Sequence, residues 1–554
     1  MGVRPASITF PALLAEQAAR YGGREAAVGS RKRLTYAELR AEVLQVARGL
    51  AALGVRRGDH VGILMGNRPE WIVSFLAAHQ VGAVVVALNT WSSARELEHA
   101  LSHADVRVLV AQEQARNQSY REMVDQARGR LPLLRHAVWL CDKADGPAER
   151  GAYRGGDHAW NDWSRIADRG DENQRVYSTE DVERLGAQVE GADNAFLLYS
   201  SGSTSLPKGI LLGHRAAIEN GWNIGERQHV TQEDRLWLVV SLFWSFGSVN
   251  ATASLMSHGG CLVLQERFDA HEALALIERE RCTVFYGTPN MAFAMQTHAE
   301  RGRYDLSSLR TGAAIGTPEQ LMRIVDLGVT RICNIYGQTE TYGNCAVIDA
   351  DEPLDVRLRS VGPPLPGVTV RIIDLETGKE APCGQDGEIR VKGYVFNGYY
   401  KNEEQTRQAF DEEGFFRTGD LGRKDEEGRL YFRGRINEMV KSGGINVAPA
   451  EVEEVLMRHP DVHTAFVVGL PDPVLDQILG AVIIARAGHV PTADELQRYC
   501  RREMAVYKIP ARFRFLEDDE LPLTTTGKVQ KNRLHELFSE AEARLPEPGA
   551  AGGR

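Results

Sequence analysis

The chain has 554 residues, 43% hydrophobic and 25% charged, with a formal net charge of −10 at pH 7. This length exceeds what one hydrophobic core usually supports, so we expect at least two domains. The acidic balance disfavours broad nucleic-acid binding. No apolar run approaches the ~20 residues of a membrane span, and the N-terminus has no apolar signal-peptide region. Seven cysteines form no C-x-x-C pair, which favours reduced thiols and a cytoplasmic location.

Helical and strand patterns alternate through the first half of the chain. Thr35 and Glu38 form a capping-box pattern, an apolar face follows, and Gly54 is the expected stop. The other predicted elements are a strand over 60–65, a helix from Pro69, a strand over 84–88, a helix over 95–101 and strands over 106–111, 196–200, 236–242, 261–264, 284–286 and 332–335. This alternation predicts an α/β fold in which helices cover mostly parallel sheets.

Composition changes along the chain suggest its domain organisation. The polar stretch 142–193 is expected to be a surface excursion with some helix rather than a separate domain. Glycines and turn signals between residues 362 and 434 predict a small β-rich, barrel-like subdomain. We therefore expect a large N-terminal domain over 1–436, a small mobile α+β domain over 437–540 and a disordered tail over 541–554.

A loop of glycine and hydroxyl residues follows the strand predicted to end near residue 200. Its N–H and O–H groups can bind an anion, and Lys208 adds a positive charge suited to a polyphosphate. The loop has neither the Walker A nor the G-x-G-x-x-G pattern. Taken alone, it is either a phosphate loop or a polar surface linker. Its candidate ligands are Ser200, Ser201, Gly202, Ser203, Thr204 and Lys208.

The loop resembles the phosphate-binding signature of the adenylate-forming superfamily, which includes acyl-CoA synthetases, nonribosomal-peptide adenylation domains and beetle luciferases. Ser205 stands where the family carries a second glycine. The resemblance extends from about residue 10 to 534, with further motifs in the family order. It implies a chain that activates a carboxylic acid with ATP.

A second segment resembles the family's Y-G-x-T-E motif. The resemblance implies that Tyr336 stacks on adenine, Asn334 contacts its amino group, Thr339 contacts the α-phosphate and Glu340 holds Mg²⁺, with Gly337 and Gln338 between them. A carboxylate and phosphate oxygens are suitable Mg²⁺ ligands. The small residues of an upstream segment resemble those between the family's adenine and acyl pockets; they are Gly312, Ala313 and Ala314.

Two further motifs concern the ribose and the domain junction. Asp420 stands in a T-G-D motif, which implies hydrogen bonds to both ribose hydroxyls, and Arg435 stands in the family's G-R pair near the ribose or α-phosphate. Asn437 occupies the hinge position, which is usually Asp or Lys in the family. Asparagine adopts sparsely populated backbone conformations more readily than most residues, which suits a pivot.

The C-terminal part resembles the family in two more places. The segment Lys441, Ser442, Gly443 and Gly444 resembles the loop that lines the thiol-entry tunnel of CoA ligases. Lys528, in a Thr-Gly-Lys sequence, matches the family's lysine that bridges the substrate carboxylate and the α-phosphate. The resemblance thus implies catalytic roles for Lys528, Thr339, Glu340 and Lys441.

The acid substrate is constrained by the stretch that begins at Phe243. Amino-acid-activating members carry an Asp where this chain has Trp244, and an unpaired buried ammonium is costly. A hydrophobic acid is therefore expected, with aromatic, alicyclic, polycyclic and fatty acids all open. Trp244 either walls the acid pocket or is a core residue. The candidate pocket residues are Phe243, Trp244, Gly247, Asn290, Gly312 and Tyr342, with Phe246 and Met291 beside them.

The family resemblance implies a two-step ligase that uses ATP, Mg²⁺ and coenzyme A. The acid forms an acyl-adenylate, and a rotation of the small domain about Asn437 then brings in the CoA step. One alternative is transfer to a carrier-protein phosphopantetheine, and another is an inactive nucleotide-binding homologue. We expect a monomer or homodimer.

Overall fold

A computed structural model describes residues 3–115, 118–141, 156–160, 163, 176–199, 208–442, 445–447, 449–472, 475–486, 488, 490–504, 506–523 and 529–538. The chain forms two compact units. The first comprises 1–370 and 391–416, and the second comprises 371–390 and 417–554. Among the described residues, no helix is both long and apolar enough to cross a membrane.

The first unit contains two eight-stranded sheets. One sheet is parallel except at its two edge pairs. Its strands, in spatial order, are Ala346–Val347, Arg331–Tyr336, Thr311–Ala314, Val284–Tyr286, Arg235–Leu238, Cys261–Leu264, Glu25–Val28 and Arg33–Thr35. Strands buried on both faces read as continuous apolar runs, as in Cys261–Leu264.

The other sheet combines parallel strands with two antiparallel pairs at one edge. Its spatial order is Gly398–Tyr399, Gly209–Gly213, Asn194–Tyr199, Val84–Ala87, His60–Leu64, Val106–Gln112, His136–Leu140 and Asp157–Ala159. A small hairpin joins Gln114–Ala115 to Gln118–Ser119. The edge strand Gly398–Tyr399 thus lies beside a hairpin whose connecting loop is the candidate phosphate loop.

Helices cover the sheets of the first unit, and most of them begin at a capping side chain. Thr35 and Glu38 form the expected capping box. Among the described residues of this unit, the α-helices are Phe10–Tyr21, Tyr36–Ala52, Pro69–Gln80, Ala94–His103, Tyr120–Ala127, Thr179–Ala187, His214–Arg227, Thr252–His258, Ala270–Glu280, Pro289–Gln296, Pro318–Leu327, Leu354–Arg359 and Glu403–Gln408. The segment Phe246–Ala251 is a π-helix.

The second unit contains most of a four-stranded sheet and a separate α+β part. The four-stranded sheet has the order Thr369–Ile373, Gly387–Lys392, Phe416–Lys424 and Leu430–Arg435. In the α+β part, Asp476–Ala485 pairs with Val440–Ser442, Val462–Asp472 and Arg512–Leu516, and Ile445–Val447 pairs with Val440–Ser442. Its α-helices are Pro449–Met457 and Ala493–Glu503.

The α/β class is confirmed, and three predicted details differ. Within the stretch 142–193, expected to be a surface excursion, Asp157–Ala159 is a strand because it pairs in parallel with His136–Leu140. The strand predicted over 236–242 ends at Leu238, because the Asn67 side chain replaces the sheet hydrogen bonds beyond it. The Asn67 amide donates to the carbonyl of Val240 at 2.9 Å, and its oxygen accepts from the N–H of Leu242 at 2.9 Å. Within the predicted β-rich region, residues 391–416 belong to the first unit and include the helix Glu403–Gln408. The boundary at 436/437 stays a prediction, and the predicted tail lies outside the described residues.

Candidate active site

The turn Thr339–Thr341 follows the strand Arg331–Tyr336 and carries two predicted catalytic side chains. The Gln338 N–H donates to Thr341 Oγ1 at 2.9 Å, which closes the turn. Thr339 Oγ1 lies 3.2 Å from Ser245 Oγ. This contact brings the Y-G-Q-T-E segment against the stretch expected to bind the acid. Both Thr339 and Glu340 are partly exposed, so a ligand can reach them.

The segment around the edge strand Gly398–Tyr399 contacts both the backbone and the side chain of Glu340. The Phe396 N–H donates to the Glu340 carbonyl oxygen at 2.7 Å. The Tyr399 hydroxyl donates to Glu340 Oε1 at 3.0 Å. A carboxylate beside a threonine hydroxyl offers the hard oxygen donors that Mg²⁺ prefers, so these residues fit the expected cation.

Lys208 stands where the candidate phosphate loop enters the strand Gly209–Gly213. Its ammonium lies 5.2 Å from the centroid of the Tyr399 ring. The structure therefore brings Lys208 near the residue that contacts Glu340. The predicted loop ligands Ser200, Ser201, Gly202, Ser203 and Thr204 lie outside the described residues.

The small-residue segment forms the central strand Thr311–Ala314. A Cβ at Gly312 would lie 2.2 Å from the Phe285 carbonyl oxygen, so a neighbouring strand already requires glycine there. Ala313 and Ala314 are buried. The predicted contacts of these three residues with adenine or the acid stay predictions.

The two residues predicted to bind adenine end the adjacent strand. Asn334 Oδ1 accepts a hydrogen bond from the Ile335 N–H at 3.0 Å. Tyr336 is 2% exposed. The structure thus places both side chains next to Gly337 and Gln338, and their roles toward adenine stay predictions.

An aromatic cluster lies at the stretch predicted to bind the acid. Trp244 packs edge-on against Trp91, with centroids 5.3 Å apart, and against Phe243 at 5.2 Å. Trp91 and Phe243 are also in edge contact, at 5.4 Å. Sequence reasoning missed Trp91, although it comes shortly after the strand Val84–Ala87, at the strand end where ligands bind in parallel sheets.

The other predicted pocket residues differ in their surroundings. A Cβ at Gly247 would lie 2.6 Å from the Ser241 carbonyl oxygen, so close backbone packing requires this glycine. Asn290 is exposed in the helix Pro289–Gln296, with Met291 partly buried beside it. The Phe246 ring stacks on Tyr286, with centroids 4.8 Å apart.

Tyr342 has a packing role, which gives no support to its predicted place in the acid pocket. Its side chain is 1% exposed, and its hydroxyl accepts a hydrogen bond from the Gly213 N–H at 2.8 Å. Burial raises the pKa of Tyr342 to about 12. The contact ties the 339–341 turn to the strand Gly209–Gly213.

In the second unit, the two predicted ribose residues face each other across antiparallel strands. Asp420 pairs in register with Arg435, and Arg435 Nε lies 3.1 Å from Asp420 Oδ1. The Asp420 N–H donates to Thr418 Oγ1 at 3.1 Å, and the Thr418 hydroxyl donates to the Ile389 carbonyl at 2.6 Å. The T-G-D motif is therefore held rigidly within this sheet.

Comparison with known families decides the identity of the chain. The family model described as AMP-binding enzyme matches residues 14–400, and the model described as AMP-binding enzyme C-terminal domain matches residues 451–528. The chain belongs to the AMP-binding enzyme family. This match confirms the resemblance found in the sequence motifs.

Relatives of this AMP-binding enzyme are similar over almost its whole length. The acyl-CoA ligase sidI of Aspergillus fumigatus is 32% identical over 98% of this chain and 93% of the relative. The mitochondrial medium-chain acyl-CoA ligase ACSF2 of Danio rerio is 31% identical over 93% of this chain and 86% of the relative. The crystal structure of the anthranilate CoA ligase AuaEII with anthranoyl-AMP is 28% identical, with a TM-score of 0.83 over 96% of this chain and 97% of that chain. The chain is thus an enzyme of the AMP-forming acyl-CoA synthetase class.

The remaining predicted residues of this AMP-binding enzyme lie at the start and end of its C-terminal part. Asn437 is in the 3₁₀ turn Ile436–Glu438, and Lys441 and Ser442 are in the strand Val440–Ser442. Gly443, Gly444 and Lys528 lie outside the described residues. The hinge, thiol-tunnel and bridging-lysine roles stay predictions.

Proposed function

We propose that this enzyme joins a hydrophobic carboxylic acid to coenzyme A in two steps. The acid and ATP form an acyl-adenylate and pyrophosphate, and the CoA thiol then displaces AMP to form the thioester. The observation that carries the proposal is the position of Thr339 and Glu340. Thr339 contacts Ser245, which belongs to the stretch expected to bind the acid. Glu340 contacts Tyr399, whose ring lies beside Lys208.

In the first step, an oxygen of the acid attacks the α-phosphorus of ATP and pyrophosphate leaves. The Thr339 hydroxyl donates to the α-phosphate, and the positive charges of Lys208 and Lys528 favour the developing negative charge. Glu340 and Thr339 would hold Mg²⁺, which when bound spreads the charge of the phosphates. Positioning and electrostatics account for catalysis here, because phosphoryl chemistry needs little covalent participation by the protein.

Nucleotide binding in this proposal also uses Asp420. A carboxylate can accept hydrogen bonds from both ribose hydroxyls. The Arg435 guanidinium, 3.1 Å away, offsets the negative charge of that carboxylate. For the second step, we assign the segment that begins at Lys441 to the thiol of coenzyme A, by its resemblance to the thiol-entry loop.

The aromatic cluster of Trp91, Phe243 and Trp244 supports a hydrophobic acid. Such rings offer large apolar surfaces. Residues 243–255 include no charged side chain, so a substrate ammonium has no partner in this stretch. A hydrophobic acid is therefore favoured over an α-amino acid.

The test is pyrophosphate release across a panel of aromatic, alicyclic and fatty acids, with and without CoA, followed by identification of the products. We expect turnover with at least one hydrophobic acid, and thioester and AMP only when CoA is present. If pyrophosphate is released but a thioester forms only on a holo-carrier protein, the acyl acceptor is the carrier protein and not CoA. No ATP consumption with any acid would overturn the proposal.

We also propose a cytoplasmic location and a monomeric or homodimeric state. The relative ACSF2 carries "mitochondrial" in its name, so location needs its own test. Cell fractionation tests the first proposal, and sedimentation velocity of the purified chain tests the second.

A further inference from the structure

The edge strand Gly398–Tyr399 is attached closely to the strand that follows Lys208. Tyr399 pairs with Ile210, and Gly398 with Leu211. Two backbone hydrogen bonds extend this pairing, from the Asn397 N–H to the Leu211 carbonyl at 2.8 Å and from the Tyr400 N–H to the Gly209 carbonyl at 2.7 Å. The position of Tyr399 is therefore fixed relative to the end of the phosphate loop.

Tyr399 contacts two residues that the proposed function uses. Its hydroxyl donates to Glu340 Oε1 at 3.0 Å, and its ring lies 5.2 Å from the Lys208 ammonium. A hydrogen bond to a charged group is stronger than one between neutral groups. An ammonium over an aromatic face is attracted by the ring quadrupole. One side chain thus restrains both a carboxylate and a cation.

A neighbouring ring also restricts the orientation of Tyr399. The Tyr399 ring is in contact with Phe396, with centroids 4.7 Å apart. Tyr399 therefore presents its hydroxyl to Glu340 in a restricted orientation.

We infer that Tyr399 is a positioning residue, whose hydroxyl holds the Glu340 carboxylate in the orientation required to bind the divalent cation that accompanies ATP. Its ring holds the Lys208 ammonium near the phosphates. This inference rests on the proposed role of Glu340. Partners that orient metal ligands typically contribute 10–100-fold to metal affinity or activity.

The substitution Tyr399→Phe separates the two contacts, because it removes the hydroxyl and keeps the ring. The full chain is incubated with Mn²⁺ and the α,β-methylene analogue of ATP, and free Mn²⁺ is counted by electron paramagnetic resonance. We expect Mn²⁺ affinity to fall about 10-fold, while analogue binding in the presence of EDTA is unchanged. Tyr399→Leu removes the ring as well and is expected to weaken metal-free analogue binding.

Tyr400→Phe is the matched control. It removes a neighbouring hydroxyl that donates to Asp105 at 2.8 Å, so Mn²⁺ affinity should match that of the wild type. Thermal melting of each variant establishes that it is folded. Wild-type Mn²⁺ affinity in Tyr399→Phe would overturn the positioning role.

Glu340→Gln distinguishes this inference from the function on which it rests. If Glu340→Gln weakens Mn²⁺ binding and Tyr399→Phe does not, only the positioning role fails. If Glu340→Gln leaves Mn²⁺ binding unchanged, the assignment of Glu340 to the cation fails, and the positioning role fails with it.

Discussion

The carboxylate of Asp420 pairs with the guanidinium of Arg435 across two antiparallel strands, with Oδ1 and Nε 3.1 Å apart. Asp420 is 2% exposed, whereas the Arg435 side chain is about half exposed. The buried acid is thus paired with a cation that solvent can reach. A ribose that binds to Asp420 would meet a buried carboxylate whose charge is already paired with that of Arg435.

Asp420→Asn is expected to weaken nucleotide binding more than it slows turnover. It removes a charged acceptor, and a hydrogen bond to a charged group contributes about 1.5–3 kcal/mol. We therefore expect KM for ATP to rise about 10- to 100-fold, with a smaller change in kcat. Asp425→Asn is the control, because Asp425 pairs with Arg429 at 2.8 Å in a nearby turn. An unchanged KM in Asp420→Asn would contradict the ribose assignment.

Much of the fold could be predicted because the signals are local. The capping box at Thr35 and Glu38 gave the start of the helix Tyr36–Ala52 correctly. The apolar run Cys261–Leu264 gave a strand with the same bounds. Caps and continuous apolar runs act over a few residues, so a single sequence shows them.

Contacts between distant segments could not be predicted in this way. The Tyr399 hydroxyl and Glu340 are 59 residues apart in sequence, and their contact depends on how the edge strand pairs. Likewise, the cluster of Trp91 and Trp244 joins the ends of strands in different sheets. The small residues of the segment 312–314 indicate a close approach to the backbone, and only the pairing with Phe285 shows why Gly312 is required.

Lys528→Ala tests the separation of the two half-reactions. We expect acyl-AMP formation from acid and ATP to fall by several orders of magnitude, because the positive charge at the transition state is lost. Thioester formation from supplied acyl-AMP and CoA should be largely retained. The measurements are pyrophosphate release for the first step and thioester yield for the second.

Lys531→Ala is the control for Lys528→Ala. Lys531 lies close by in sequence but pairs with Glu453 at 2.7 Å, which is a structural contact within the second unit. We expect it to leave the ratio of the two half-reactions unchanged. Equal loss of both half-reactions in Lys528→Ala would contradict the domain-alternation assignment.

Trp244→Ala is expected to change which acids are accepted. Removing the indole opens space beside Trp91 and Phe243. The kcat/KM for bulkier acids should therefore rise relative to that for smaller acids. Differences of this kind in an apolar pocket are typically 10- to 200-fold in relative kcat/KM. Kinetics over the acid panel measure the effect, and Trp222→Phe is the control because that ring stacks on His258. An unchanged preference among the acids would indicate that Trp244 is a core residue and not a wall of the acid pocket.

The buried histidines His79 and His214 predict that stability falls in acid. Their rings are 4.6 Å apart among Phe10, Phe75 and Phe196, and burial lowers the pKa of both. The pKa of His214 falls from 6.5 to about 3. At pH values between these two pKa values, the unfolded chain binds protons that the folded chain does not. Stability from each histidine is therefore present above pH 6.5 and is lost as pH falls, by up to ~1.4 kcal/mol per pH unit.

His214→Asn removes one of these titrating groups and keeps an acceptor for the Phe10 N–H, which donates to His214 Nδ1 at 3.4 Å. We expect the fall in Tm between pH 7 and pH 5 to be smaller in this variant than in the wild type, since one fewer proton is bound on unfolding. Phe75→Leu, which alters the same cluster without removing a titrating group, should lower Tm by a similar amount at both pH values. A wild-type pH dependence in His214→Asn would show that His214 is not the source of the acid sensitivity.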